Sequence, residues 1–288
     1  MTRPEARLGG IPVGGDHAVV VIGALNVSPE SFYAGSVHRD RDALVRAGVA
    51  MVRGGAAILD VGARSTAPYL DTAVNDGEEA ERLARAVETL VAKVGVPVSV
   101  DTARPAAARA ALEAGATIVN DVTALSEPVV GRLACEHDAS LLLMASPGAM
   151  RRASPSAVPL HTVRAILTEA AHRACVAGIA ADRVVFDPGI GFFRDEAIAW
   201  DVWDATVIEH LDALLDLGRP LCVGVSRKSF LGAITGRSDP AARLPASLAA
   251  TAIAVARGAA VIRTHDVPAT VDAVRVAERL IATRQGRL

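Results

Sequence analysis

One pattern limits what this chain can fold into more than any other: eight short, nearly unbroken apolar runs, each stopping at a polar residue or polar loop. The clearest is VVFDPGIGFF at 184–193, where Val184-Val185-Phe186 ends at Asp187 and breaks at once into Pro188-Gly189. Apolar β-formers halted by Pro-Gly predict a buried strand that carries a carboxylate to its C-terminal tip. Runs of the same kind lie at 18–26, 56–62, 96–102, 116–121, 140–144, 220–229 and 259–266. Helical stripes separate them, at 41–53, 77–94, 105–115, 127–137, 160–177, 200–217, 245–257 and from there to about 283. Residues 1–17 are polar and Gly-rich and are expected to form an irregular lead-in.

Near-continuous apolar strands joined by helical crossovers predict a parallel sheet covered on its outer face. Eight such units with no break in composition predict an α/β fold, a closed (β/α)8 barrel of the TIM type, spanning about 18–283 of a single domain 1–288. A doubly wound open sheet is the competitor, but it does not require polar punctuation at every strand end. An apolar content of 51% with only 3% aromatics suits many helices packed on a buried sheet. The net charge of −2 implies no general attraction to nucleic acid or to an anionic membrane. Cys135, Cys175 and Cys222 show no paired spacing and suit a reducing compartment. No run is long enough to span a membrane and the start lacks an apolar signal region, so a cytoplasmic protein is expected.

In such a barrel the C-terminal strand ends form the active site. Those ends are Asn26, Asp60, Asp101, Asn120, Met144, Asp187, the Ser226-Arg227-Lys228-Ser229 turn, and Arg263 with His265. A lone polar residue at a strand end is as often a loop group satisfying backbone as a functional one. Closure of the barrel puts all of them on one ring, which makes that reading poor for the set. Asp101, Asn120 and Asp187 suit a flat heterocycle rich in N–H donors. Lys228, Arg263 and His265, with Asn26, suit a phosphate or diphosphate. Neither a Gly-rich phosphate loop with its lysine nor an H-E-x-x-H metal motif is present. A metal would therefore be Mg²⁺, held mainly by diphosphate oxygens and an oxygen ligand such as Asn26.

LNVSPESF (25–32), DVGARST (60–66), SVDT (99–102), ND (120–121), DPGIGF (187–192), SRKS (226–229) and RTHD (263–266) together resemble the ordered motifs of the dihydropteroate synthase family. The resemblance runs from about residue 20 to 280. It implies condensation of 6-hydroxymethyl-7,8-dihydropterin diphosphate with 4-aminobenzoate, releasing diphosphate and making dihydropteroate for folate synthesis. It further implies that Asp101, Asn120, Met144, Asp187 and Lys228 bind the pterin, with Asp101, Asp187 and Lys228 serving the reaction. Asn26, Arg263 and His265 would hold the diphosphate with Mg²⁺, and Thr66, Pro68, Phe192 and Ser229 the arylamine. A homodimer through outer helices is a further family expectation.

The chain departs from that pattern on the acceptor side. The first loop normally carries Asp where Ala34 stands, and the second normally reads Ser-Thr-Arg-Pro-Gly where this chain has Ser65-Thr66-Ala67-Pro68-Tyr69. The strand-five end, usually Met-His-Met, is Met144-Ala145-Ser146, and Phe193-Arg194 replaces the usual Gly-Lys. New cations, Arg64, Arg194 and Arg151-Arg152, accompany these losses. They motivate an alternative acceptor, a larger anionic arylamine such as the ribofuranosylaminobenzene phosphate of methanopterin-type cofactor synthesis. A pterin-binding methyltransferase module is a rival of another class, but it would leave the Ser-Arg-Lys-Ser turn and Arg263-x-His265 without a purpose. A non-catalytic pterin-binding protein is the third reading, motivated by Ala34 and Ala67.

Overall fold

The computed structural model describes residues 3–27, 41–64, 75–149, 158–194 and 198–284. Ala34, Thr66, Ala67, Pro68, Arg151 and Arg152 lie outside the described residues. Ten strands are described: β1 (Glu5–Leu8), β2 (Ile11–Gly14), β3 (Val20–Asn26), β4 (Ile58–Gly62), β5 (Val98–Asp101), β6 (Ile118–Asp121), β7 (Ser140–Met144), β8 (Val184–Asp187), β9 (Leu221–Val223) and β10 (Ala259–Thr264). The last eight close into a barrel in the order β10-β3-β4-β5-β6-β7-β8-β9, and every pairing in it is parallel. The expected (β/α)8 barrel is what the chain forms.

The helices between the strands are α1 (Arg41–Arg53), α2 (Asp76–Val94), α3 (Pro105–Glu113), α4 (Pro128–Glu136), α5 (Pro159–Val176), α6 (Trp200–Glu209), α7 (Ser229–Thr235), α8 (Leu244–Ala256) and α9 (Val267–Arg284). Local signals set their ends. The Asn75 side chain accepts from the Glu78 N–H to cap α2. Proline opens α3, α4 and α5, where a missing N–H costs no intrahelical bond. Outward-facing strand residues such as Leu59, Val100, Leu143 and Phe186 are buried with helix residues Leu83, Leu112, Leu133 and Val207 in one cluster. Among the described residues no helix is long and apolar enough to cross a membrane.

Three local expectations differ from what forms. The lead-in is an antiparallel hairpin, β1 with β2, turning at Gly9-Gly10. Its Ala6, Leu8 and Val13 join the barrel interior with Ile22, Ile58, Ile118 and Val185, and the Gly9 N–H donates to Ser140 Oγ at 3.1 Å. The hairpin therefore stoppers the end of the barrel opposite the functional rim, and its alternation over four residues a strand was too short to stand out in sequence. The helix expected at 200–217 stops at Glu209 and continues as a 3-10 helix, Leu211–Leu217. The strand expected at 220–229 is only Leu221–Val223, and its basic end turns directly into α7.

Candidate active site

Strand parity decides which side chains enter the barrel mouth, because residues two apart on a strand share a face. Ile58, Ile118, Leu142, Val185 and Val261 belong to the barrel's interior cluster. The residues two further along, Asp60, Asn120, Met144, Asp187 and Arg263, therefore point inward one layer nearer the C-terminal rim. Asp101 joins them, since its neighbours Val98 and Val100 are turned outward to the helices. In register, Gly62 lies beside Asp101, Asp101 beside Asn120, and Met144 beside Asp187. A Cβ on Gly62 would stand 3.4 Å from Asn26 Oδ1 and 3.7 Å from the Asp101 Cβ, so Asn26 borders the same layer.

Arg263 crosses this mouth. Its Nε donates to Asp60 Oδ2 at 2.7 Å and its Nη2 to Asp101 Oδ2 at 3.0 Å. Asn120 Nδ2 donates to the same Asp60 oxygen at 3.1 Å. Asp60 is fully buried, and the Oδ1 atoms of both Asp60 and Asp101 accept no hydrogen bond among the described residues. Two buried acceptors without a donor require an explanation, and a ligand rich in N–H groups would supply one. Burial pushes the Asp101 carboxyl up to about 7, against the opposing pull of Arg263. Burial also works against charge on Arg263, but Asp60 and Asp101 outweigh it and hold the guanidinium protonated.

The opposite side of the mouth is built by two turns. Asp187 Oδ1 accepts from the Gly189 N–H at 2.7 Å, and burial raises its pKa while Lys228 draws it down. Gly189 sits at φ +74°, and a Cβ there would stand 1.8 Å from the Ala145 carbonyl oxygen, so no other residue fits. Lys228 Nζ donates to the Ile190 carbonyl and lies 4.8 Å from the Phe192 ring centre. Burial lowers the Lys228 pKa, and Asp187 and Asp204 oppose that shift.

Arg227 holds the turn that presents Lys228. It has φ 56°, a left-handed conformation costing a residue with a side chain roughly 1–2 kcal/mol. The side chain offsets that cost: Nε and Nη2 reach the Asp266 carboxylate at 2.8 and 2.6 Å, and Nη1 reaches the carbonyls of Pro240 and Ala241 at 3.0 and 2.7 Å. Its backbone N–H donates to Ser247 Oγ at 2.8 Å. Next to this turn, Ser229 Oγ accepts from Arg194 Nη2, and the Arg194 guanidinium lies 4.2 Å over the Trp200 ring.

The described residues among those singled out from sequence thus come together. Asp101, Asn120, Met144, Asp187, Lys228, Arg263 and His265 line one mouth, with Asn26 at its border and Phe192 and Ser229 on its flank. Arg263, expected at the diphosphate, is in this structure also the cation that ties Asp60 to Asp101. Burial and the nearby Arg263 charge press the His265 pKa down to about 3, and its Nδ1 lies 3.0 Å from Ser226 Oγ. Asp60 was visible as a strand end, but its pairing with Arg263 and Asn120 was not. Asp204, in the middle of α6, gave no sequence signal, and Asp266 was visible only as the last residue of the RTHD motif.

Comparison with known proteins gives a consistent picture. A sequence model of the family described as pterin binding enzyme matches residues 22–265. The dihydropteroate synthase of Synechocystis sp. is 35% identical over 264 residues, covering 90% of this chain and 89% of that protein. Xanthomonas albilineans dihydropteroate synthase with 4-aminobenzoic acid superposes with a TM-score of 0.85 at 37% identity, covering 98% of this chain and 99% of that one. The same organism's enzyme in complex with 7,8-dihydropteroate gives a TM-score of 0.81 at 33% identity over 97% of this chain and 99% of that one.

Proposed function

The chain belongs to the pterin-binding enzymes and, within them, to the dihydropteroate synthases, and on that premise we propose how its barrel mouth joins a pterin diphosphate to an arylamine. The protein is a transferase of folate biosynthesis. It condenses 6-hydroxymethyl-7,8-dihydropterin diphosphate with 4-aminobenzoate: the carbon–oxygen bond to diphosphate breaks, a carbon–nitrogen bond forms, and the amine gives up a proton. The observation that carries the assignment of residues is the pair of buried, unbonded Oδ1 atoms of Asp60 and Asp101 beside Asn120 and Asp187.

Asp101, Asn120 and Asp187 grip the N–H-rich edge of the pterin, with Met144 beneath the ring and Lys228 over it. The diphosphate departs first, and the cationic pterin left behind is stabilised by the Asp101 and Asp187 carboxylates, which act strongly because they are buried. Arg263, held beside the acids, and His265 face the leaving anion. Asn26 would hold a Mg²⁺ together with the diphosphate oxygens, and the ion would supply charge neutralisation for the leaving group. Thr66, Pro68, Phe192 and Ser229 form the acceptor slot.

A carboxylate no larger than that of 4-aminobenzoate accounts for the cations described there. Arg64 Nε lies 3.9 Å from the buried Glu79 carboxylate, and Arg194 is held at Ser229 Oγ and over the Trp200 ring. The protein works as one domain, the barrel of about 18–283, in the cytoplasm. Ile234 of α7, Ile253 of α8 and Val276 and Leu280 of α9 are exposed on neighbouring helices, and they support a homodimer across that face. Incubating the protein and Mg²⁺ with pterin diphosphate and each candidate amine, then weighing the products, tests the reading. Dihydropteroate from 4-aminobenzoate is expected; product only from the phosphorylated ribosyl arylamine, or none with any amine, would overturn it.

A further inference from the structure

Asp204 lies outside the ring of strand ends, yet it is fully buried on α6 directly beneath the turn that follows Asp187. Its Oδ1 accepts from the Gly191 N–H at 2.8 Å. The peptide unit that bears this N–H also bears the Ile190 carbonyl, and that carbonyl accepts from Lys228 Nζ. A single peptide plane is therefore gripped on its nitrogen by a carboxylate and on its oxygen by an ammonium. Because the N–H and C=O of a trans peptide point in opposite directions, fixing one fixes the other.

Four further observations tighten this arrangement. Gly191 is at φ +85°, and a Cβ there would stand 2.9 Å from the Lys228 Cδ, so the lysine stem lies directly on the turn. The second Asp204 oxygen, Oδ2, is buried and accepts no hydrogen bond among the described residues. The charged groups facing Asp204 are Lys228 from the turn before α7, Arg194 from the loop after β8, and Asp201 on its own helix. Beside it in sequence, Trp203 stacks on Phe193 with ring centres 4.9 Å apart, and both rings are buried as Asp204 is. A carboxylate this enclosed is costly to bury unless it holds something in place.

We propose that Asp204 is a positioning residue for Lys228: it fixes the Ile190–Gly191 peptide, whose carbonyl aims the ammonium over the Phe192 ring and into the mouth. The inference rests on the reading of Lys228 as a residue of the synthase site. It assigns a role to a helix residue that touches no substrate and that no strand-end pattern reveals. An amide in place of the carboxylate keeps an oxygen for the Gly191 N–H, whereas a methyl group does not.

The test is a double-mutant cycle. Asp204→Ala, Asp204→Asn, Lys228→Met and the two double variants are purified, their circular dichroism is recorded, and kcat and KM are measured for each substrate. Asp204→Ala is expected to lower kcat at least tenfold with native circular dichroism, and Asp204→Asn to recover activity to within threefold of the wild type. In the Lys228→Met background, Asp204→Ala should cost less than threefold further. Equal fold losses from Asp204→Ala in the two backgrounds, or wild-type kinetics for Asp204→Ala, would overturn the proposal. Should Asp204→Ala not fold, [15N]glycine-labelled wild type and Lys228→Met still decide it. The Gly191 amide should exchange slowly and shift when Lys228 is replaced; rapid exchange in the wild type, or no shift, would refute it. A wild type that forms no dihydropteroate would instead defeat the synthase reading.

Discussion

Replacing Asp60 with asparagine tests the ion-pair frame of the mouth more directly than any change to a ligand-binding group. Asp60 Oδ2 takes one bond from Arg263 Nε at 2.7 Å and one from Asn120 Nδ2 at 3.1 Å, and the residue is fully buried. Hydrogen bonds to a charged group are worth about 1.5–3 kcal/mol each. An amide of the same shape keeps one acceptor oxygen for a weaker neutral bond of about 0.5–1.5 kcal/mol and turns an NH₂ donor toward other donors. Subtraction leaves a loss of roughly 2–4 kcal/mol, in line with the cost of breaking one partner from a buried pair. At about 2–4 °C per kcal/mol the melting temperature of Asp60→Asn should fall by roughly 4–16 °C.

The same substitution has a second, independent readout. Burial raises the Asp101 carboxyl to about 7, and the Asp60 charge adds to that rise while Arg263 opposes it. A protonated Asp101 accepts poorly from a row of N–H donors, so pterin binding should strengthen as pH rises through about 7. In Asp60→Asn the like charge is gone and Arg263 is left to Asp101, so the midpoint should move to lower pH. Scanning calorimetry gives the first number, and pterin-fluorescence titration from pH 5.5 to 8.5 gives the second. A variant that melts with the wild type and binds pterin with an unshifted midpoint would show that Asp60 does not anchor Arg263.

Two other outcomes follow from the geometry. Gly189→Ala would set a methyl group 1.8 Å from the Ala145 carbonyl, whereas Gly218, also at positive φ, has nothing within 4 Å of its would-be Cβ. Gly218→Ala should therefore cost only the backbone strain of about 1–3 kcal/mol, and Gly189→Ala distinctly more, as urea unfolding would show. Arg263→Ala should weaken binding of the pterin diphosphate roughly 10- to 100-fold, the worth of one charge-assisted contact, and binding of the pterin alcohol much less. Calorimetry with both compounds checks it, and equal losses would place the diphosphate elsewhere.

The barrel was legible in the sequence because it rests on local patterning repeated along the chain. Apolar runs such as Val184–Phe186, stripes such as Leu83-Val87-Leu90, a stop such as Gly95 and a start such as Pro105 each carry their own physical signal. Period-two alternation then sends Asp60, Asp101, Asn120, Asp187 and Arg263 to one rim wherever the sheet closes, so membership of the site could be read before any coordinates. The N-terminal hairpin escaped because four-residue strands are stable only once packed against the barrel floor, a contact made 131 residues away between Gly9 and Ser140.

What tertiary structure alone decided is which groups meet and in what charge state. The sequence assigned acids to the ring and bases to the anion; folding put Arg263 against Asp60 and Asp101, partners 203 and 162 residues distant. It also set His265 Nδ1 against Ser226 Oγ and brought Asp204 from α6 to the peptide that Lys228 holds. Periodicity is a property of neighbours in the chain and survives in one dimension. Ion pairing, desolvation and the sharing of a peptide plane depend on distances of about 3 Å between remote residues, and those exist only after the barrel has closed.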